Sequence, residues 1–256
     1  MASYIFYTHN TFYDWHVRMA LESIANQDCH FFFDEFVIYN NSTDVTVDYL
    51  LKEYNNLNLR KYFRNVKIFK TFPDTTKVCV DLENQRQRIT DHDWYLCHKG
   101  DFYLPKHFIG SLMKHEITKN EAPQYLNFCK FDLRETVSEE MLKKMSNFKT
   151  FDEMCQQDFT SYEENKKYAS DIGIQHLAIG YKGSKRKNTF DGVMHAYNDK
   201  ARKSMNFFSY WDRKDILRLR NRGVKMGIDQ NELFTLHMFH DIGRKDPMKN
   251  TPGHRF

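Results

Sequence analysis

Four places in this sequence hold side chains that can bind a cation or move a proton. Lys99-Gly100-Asp101 follows the apolar run Trp94–His98 and precedes Phe102-Tyr103-Leu104-Pro105. Asp212 and Asp215 open a segment with Ile216, Leu217 and Leu219 at helical spacing. His237 and His240 stand three apart, ahead of Asp241 and the basic pair Arg244-Lys245. Asp191 lies in the loop-like run Asn188-Thr189-Phe190-Asp191-Gly192. Carboxylates and imidazoles bind divalent cations, and either can take a proton from an attacking hydroxyl. Each also has an ordinary structural use. Asp101 suits a turn after Gly100, Asp212 a helix cap, and a single histidine a packed polar position. His98, inside the apolar run, reads as packed or as support for a neighbour rather than as a ligand.

The elements that must position these groups alternate between two periods. Tyr4–Asn10 is a β-rich run, and Trp15–Gln27 has the 3.6-residue period of an amphipathic helix. Phe36–Tyr39 is a second short strand that runs into Asn40-Asn41-Ser42-Thr43-Asp44, a turn-forming and capping cluster. Strand, helix, strand and polar loop form a βαβ unit. In open α/β sheets, ligands bind at the carboxyl ends of such strands. Val45–Tyr54 reads as a helix, Asn65–Phe69 as a strand and Val78–Ile89 as a helix with Asn84 and Arg88 on its polar side. Asp93–Cys97 is a fourth strand, Lys106–Lys114 a helix and Gln124–Phe131 one further strand. Two helices joined by Phe148–Asp152 are expected within Ser138–Ala169. Ile172–Tyr181 reads as a strand, Asn206–Arg222 as containing a helix, and Glu232–His240 as strand or helix. The alternation predicts a mainly parallel α/β sheet.

Three pieces of the first fifty residues carry a resemblance. Thr8-His9-Asn10, then Leu21-x-Ser23-Ile24-x-x-Gln27, then Val37–Thr46 occur in order. Together they resemble the opening of inverting family 2-type glycosyltransferases of the GT-A fold, whose pattern reads T-Y-N, L-x-S-[IL]-x-x-Q, V-D-N-G-S-T-D-G-T. The resemblance implies a Rossmann-like, mainly parallel central sheet flanked by helices, in a single domain over 1–256. Residues 1–105 would be the nucleotide-sugar half, and 106–256 the acceptor half and tail. It implies a nucleoside pocket lined by Thr8, Asn10, Asn41 and Asp44, with Asn84 and Arg88 further nucleotide-side residues. Tyr39 departs from the pattern, which usually has an aspartate there against the base, so the nucleotide preference stays open.

The later motifs extend the resemblance. In the GT-A fold a strand ends in Asp-x-Asp, whose last aspartate binds a divalent metal between the donor phosphates, and a proline follows. Asp101 falls on that last aspartate and Pro105 on the proline, while Lys99 replaces the first aspartate. A lysine cannot bind the metal, but it can meet a phosphate as a point charge. Tyr210–Gly223 is similar to the E-D-x-D-L-x-x-R-L-x-x-x-G segment. This implies Asp212 as general base, with Asp215 a one-residue slip away and Asp191 a weaker third choice. His240, then His237, matches the histidine that completes the metal shell in several such enzymes. The implied cofactor is Mn²⁺ or Mg²⁺, and the implied donor a nucleotide sugar, UDP-sugar favoured. The acceptor would be a glycan or another hydroxyl compound. Lys99 and Tyr39 equally suit a degenerate GT-A domain that binds nucleotide or glycan without turnover. A nucleotide-sugar pyrophosphorylase would need a Gly-rich loop after the first strand, and Thr8–Trp15 has none.

Composition narrows the classes. With 38 basic and 34 acidic residues in 256, the net charge of +4 is too balanced for a dedicated nucleic-acid binder. Five cysteines include no C-x-x-C pair, so neither a zinc site nor a disulfide framework follows. Neither a phosphate loop nor Gly-x-Gly-x-x-Gly occurs. Lys182–Lys187 is a basic run that reads as a solvated loop. No apolar run approaches the ~18 residues a membrane span needs, so the expectation is a cytoplasmic protein with at most peripheral membrane contact. Aromatics at 16% are expected mostly in the core.

Overall fold

The structure is a computed structural model. It describes residues 1–9, 14–42, 44–70, 92–119, 125–133, 138–156, 195–198, 221, 223–227 and 231–238. The first strand, β1 (Ala2–His9), is followed by helix α1 (Asp14–Ala25) and strand β2 (Phe33–Asn41). Helix α2 (Val47–Asn56) leads to β3 (Phe63–Lys70), and β4 (Trp94–Lys99) turns directly into β5 (Phe102–Tyr103). Next come α3 (Phe108–Lys114), β6 (Tyr125–Asn127), β7 (Cys129–Asp132), α4 (Glu139–Met145) and α5 (Phe151–Cys155). The remaining described strands are β8 (His195–Asn198), β9 (Met226–Gly227) and β10 (Phe234–His237).

β3, β2, β1 and β4 lie side by side in that order and all run parallel, so the expected α/β sheet is present. Among the described residues β8, β6 and β9 extend it past β4, with β8 antiparallel to both its neighbours. A second sheet holds β10 between β5 and β7. The chain builds the sheet outward from β1 through β2 to β3, then returns to place β4 on the other side of β1. That reversal is the topological switch point of an open α/β sheet, where a crevice opens at the carboxyl edge.

Pairing in register puts Tyr4, Phe6 and Thr8 on one face with Phe36, Ile38 and Asn40 of β2 and with Leu96 and His98 of β4. This face carries the main core. Tyr4 is fully buried and meets Phe33, Phe36 and Phe63 edge-on at 5.2–5.6 Å, the geometry that aromatic quadrupoles favour. Val17, Ala20, Leu21 and Ile24 supply the buried stripe of α1, at i, i+3, i+4 and i+7. Tyr4, Tyr39, Tyr95, Tyr103, Tyr125, Phe6, Phe33, Phe36, Phe102 and Phe108 are the largest fully buried side chains. Much of the aromatic content is therefore core, as expected.

The structure corrects several sequence expectations. β2 begins at Phe33, earlier than its apolar residues indicated, because Glu35 is buried with partners: Ser3 donates to it at 3.3 Å, His92 lies 3.3 Å away, and Lys67 forms an ion pair with it. Gln124–Phe131 is not one strand. β6 belongs to the large sheet and β7 to the small one, and the chain changes sheets across Phe128. The helix expected at Lys106–Lys114 starts at Phe108. The described part of Glu232–His240 contains the strand β10. Cys97 is buried and is not in a disulfide. The helix read at Val78–Ile89 and the strand read at Ile172–Tyr181 lie outside the described residues, as does the run Lys182–Lys187. Among the described residues, no helix is long and apolar enough to cross a membrane.

Candidate functional site at the switch point

Two polar segments meet the carboxyl end of β1, one from each neighbour. On the β2 side, the buried Thr8 hydroxyl donates to Asn40 Oδ1 at 2.7 Å. Asn40 Oδ1 also accepts from Ser42 N at 3.1 Å, and its Nδ2 donates to the Val45 carbonyl at 2.7 Å. Ser42 Oγ accepts from the backbone of Asp44 and Val45, and Thr46 caps α2 through its bond from Tyr49 N. The loop after β2 is thus shaped by its own short polar side chains, the usual work of Asn and Ser in turns. Asp44 is exposed on it.

On the β4 side, Gly100 N donates to the Tyr7 carbonyl at 2.9 Å and carries the ladder one residue past Lys99. The chain then reverses into β5. β10 covers this turn: Met238 N donates to the Asp101 carbonyl at 2.8 Å, and His237 pairs with Phe102. The His237 ring stacks on Phe102 at 4.6 Å, with planes 20° apart. From there its Nε2 lies 3.2 Å from Asp101 Oδ2. A carboxylate oxygen only accepts, so Nε2 carries the hydrogen. Lys99 Nζ lies 3.3 Å from the same oxygen. The Asp101 side chain is 0% exposed, against 20% for Lys99 and 23% for His237. A buried carboxylate is tolerated because it is paired.

His98 lies beneath this turn and is fully buried. Its Nε2 is 2.8 Å from the Phe102 carbonyl, and its Nδ1 is 2.6 Å from the Tyr4 hydroxyl. A carbonyl only accepts, so Nε2 donates and Nδ1 accepts from the Tyr4 O–H. Both ring nitrogens are committed, which agrees with the packed reading of this residue. Burial lowers the His98 pKa to about 4, while the Phe102 carbonyl and Asp101 pull the other way. The imidazole is neutral near pH 7.

A brace holds the turn from behind. Gln27 Nε2 donates to the carbonyls of Ser23 and Pro105, each at 2.9 Å, and its Oε1 accepts from Ile109 N at 2.7 Å. The motif Leu21-x-Ser23-Ile24-x-x-Gln27 therefore ties the end of α1 to the segment following β5. Lys106 N reaches the Ser146 carbonyl at 3.0 Å and adds α4 to the same support.

Of the sequence candidates, the structure brings Lys99, Asp101 and His237 into contact, with Thr8 one strand away. Register places Tyr39 level with Tyr7, and Tyr7 level with Lys99, on one face. Tyr39 is buried and stacks on Phe69 at 5.6 Å. The backbone of Asn41 ends β2. Asn10, Asn84, Arg88, Asp191, Asp212, Asp215 and His240 lie outside the described residues. Sequence reasoning missed Asn40 as the centre of its loop and Gln27 as the brace. Their motif positions were visible, but the bonds they make were not.

At Asp101, the metal ligand that the resemblance implies, the neighbouring Lys99 opposes a divalent ion electrostatically. Asp101 Oδ2 already takes Lys99 and His237, and an ion bound there would sit about 4 Å from the Lys99 ammonium. Unit charges at that separation repel by about 4 kcal/mol at an effective dielectric of about 20, and a divalent ion doubles this. Among the described residues, no group of three His, Cys, Asp or Glu side chains could hold a metal.

Comparison with solved structures agrees with the fold. The chain is similar to mannosyltransferase PcManGT from Pyrobaculum calidifontis, a complex with GDP-Man and Mn²⁺, at a TM-score of 0.55 and 11% identity. That match covers 93% of this chain and 56% of the other. It is also similar to S. aureus TarS 1-349, at a TM-score of 0.50 and 13% identity over 93% of this chain and 60% of that one. The chain thus spans under two thirds of either structure's length. No family model matches the sequence, and no curated protein matches it. These likenesses and the parallel sheet define the class: an α/β protein with the GT-A-like fold of these glycosyltransferases.

Proposed function

We propose that this chain transfers a sugar from a nucleoside diphosphate donor to a hydroxyl of a glycan or similar acceptor. The observation that carries this reading is the pair of polar segments at the switch point, Asn40–Ser42 with Asp44 at the carboxyl end of β2 and Lys99–Asp101 at the carboxyl end of β4, on either side of β1. Two strand spacings separate them, about 10 Å. That suits a donor recognised at two ends, its nucleoside over the first segment and its diphosphate over the second. Thr8, Tyr39, Asn41 and Asp44, with Asn10, Asn84 and Arg88, are the proposed nucleoside side. UDP is the first choice of base.

Departure of a nucleoside diphosphate builds negative charge that a fixed cation must meet. Lys99 is the charged group held at that edge. In the proposed inverting displacement, Asp212 takes the proton of the acceptor hydroxyl as it attacks the anomeric carbon, with Asp215 and then Asp191 as the next residues to test. Residues 1–105 form the proposed donor half and 106–256 the acceptor half, in one domain.

A thermal-shift screen over UDP, GDP and dTDP, followed by donor hydrolysis with the corresponding sugars, tests the reading. A ligand that binds only the folded state raises the melting temperature by linkage. If no nucleoside diphosphate stabilises the protein, with or without Mn²⁺, glycosyl transfer is the wrong reading.

A further inference from the structure

Resting on the glycosyl-transfer reading, we infer that His98 is a positioning residue for the donor. Its ring staples together the two ends of the Lys99–Asp101 turn and so sets the shape that meets the diphosphate. Lys99, Gly100 and Asp101 are bracketed by His98 on one side and Phe102 on the other. His98 Nε2 donates to the Phe102 carbonyl at 2.8 Å, so one side-chain bond closes the turn from the residue before it to the residue after it. Topology brings that carbonyl to the ring. Met238 N donates to the Asp101 carbonyl, which puts that group on the β10 side. Successive residues of a strand direct their backbone groups to opposite edges. The Phe102 carbonyl therefore faces away from β10, toward His98.

The ring is itself fixed. It is fully buried, its Nδ1 accepts from the Tyr4 O–H at 2.6 Å, and Phe6 meets it edge-on with ring centroids 5.2 Å apart. Tyr4 and Phe6 belong to β1, so the staple ties the turn to the strand at the centre of the switch point. An apolar side chain could pack here without the cost of burying an imidazole. The imidazole adds what an apolar group lacks, a donor for the Phe102 carbonyl. This bond acts on the path of the backbone, and so on every group that the turn presents. Tyr4 has a separate share. The Phe102 carbonyl only accepts, which suffices to keep the hydrogen on Nε2. The Tyr4 hydroxyl satisfies Nδ1 and contributes stability rather than the shape of the turn.

Calorimetric titration of the full chain separates positioning from stability, using whichever of UDP, GDP or dTDP gives the largest thermal shift. His98→Leu is expected to weaken the diphosphate about ten- to a hundredfold, the scale of one misplaced charge-assisted contact, and the free nucleoside by less than about twofold. Tyr4→Phe is expected to lower the melting temperature by leaving Nδ1 unpaired, yet to bind the diphosphate within about threefold of wild type. His98→Gln keeps an N–H for Phe102 and an acceptor for Tyr4, and is expected to restore most of the affinity that His98→Leu loses. If affinity follows melting temperature across these variants, with Tyr4→Phe as weak as His98→Leu, the role is structural only and the inference falls. A further measurement needs no variant. In nitrogen-15 spectra of the wild-type histidines, the neutral Nε2–H ring of His98 is expected to shift on saturation with the diphosphate and not with the nucleoside. A ring that the diphosphate leaves unmoved would overturn the inference too, so a His98→Leu chain that fails to fold does not shelter it. Failure of all three diphosphates to bind the wild-type chain would remove the glycosyl-transfer reading as well.

Discussion

The Thr8 hydroxyl donates to Asn40 Oδ1 at 2.7 Å between two buried side chains, and this bond joins the carboxyl ends of the two central strands. Asn40 passes the constraint on to Ser42 and Val45, so the shape of the proposed nucleoside loop depends on this bond. Thr8→Val keeps the volume and removes this bond to Asn40 Oδ1. A loss of about 1–2 kcal/mol is expected, the cost of an unmade buried bond. Asn40→Asp removes the donor to Val45 and should cost more. Urea denaturation of both variants and their double mutant measures the coupling, and near-additive effects would show that the bond is unimportant.

Gln27 is the second structural test. Gln27→Leu strips bonds from the carbonyls of Ser23 and Pro105 and from Ile109 N, all at a buried position. The expected cost is about 2–4 kcal/mol, a fall in melting temperature of roughly 5–15 °C for a chain of this size. Diphosphate affinity should fall with it, because the braced segment follows the Lys99–Asp101 turn. A wild-type melting curve would mean that the brace is redundant.

His98 sets a pH dependence. Its folded pKa is lowered by burial to about 4 from the ordinary 6.5. Between those values the unfolded chain binds more protons than the folded one, so stability rises with pH across this window and levels off above it. Lowering the pH from 7 to 4 should remove on the order of 3 kcal/mol through this residue alone. His107, whose pKa is also lowered chiefly by burial, adds in the same direction. Denaturation midpoints from pH 4 to 7 measure the slope, and His98→Gln should flatten it. An unchanged slope in that variant would place the titrating group elsewhere.

Asp212→Asn keeps size and capping ability but removes the proton acceptor. Turnover should fall by about 10²-fold or more, the scale that general-base catalysis supplies, with donor affinity little changed. Asp215→Asn should be milder. The reverse ranking, read from initial rates of sugar transfer, would mean that the assignment has slipped along the chain, and two active variants would leave Asp191 as the next choice.

Much of the parallel sheet was legible because its strands and helices keep separate periods over several residues. Tyr4–Tyr7 and Val37–Tyr39 are apolar on both faces, as buried parallel strands are, and α1 and α2 follow within two residues of the expected bounds. Asp34 and Glu35 disguised the start of β2, since a buried charge is recognisable only by partners that come from β1, β3 and His92. The break at Phe128 was invisible because a buried aromatic continues the strand pattern while the backbone changes partners. At the site, Lys99 and Asp101 could be paired by their spacing of two. The pattern ranked His240 ahead of His237; His240 lies outside the described residues, and the pairing of β10 with β5 is what brings His237 to Asp101.

The clamp of β10 on the Asp101 turn also bears on the order of assembly. Every strand of the central parallel sheet is present once the chain has been made through Lys99. The turn acquires His237 and the Met238 amide only after some 136 further residues have emerged from the ribosome. Contacts so distant in sequence close late and slowly, because the loop entropy is lost before they stabilise anything. A nascent chain can therefore hold a formed sheet whose Asp101 turn is still unclamped, and the protein acquires its finished site only in the last stage of its own folding.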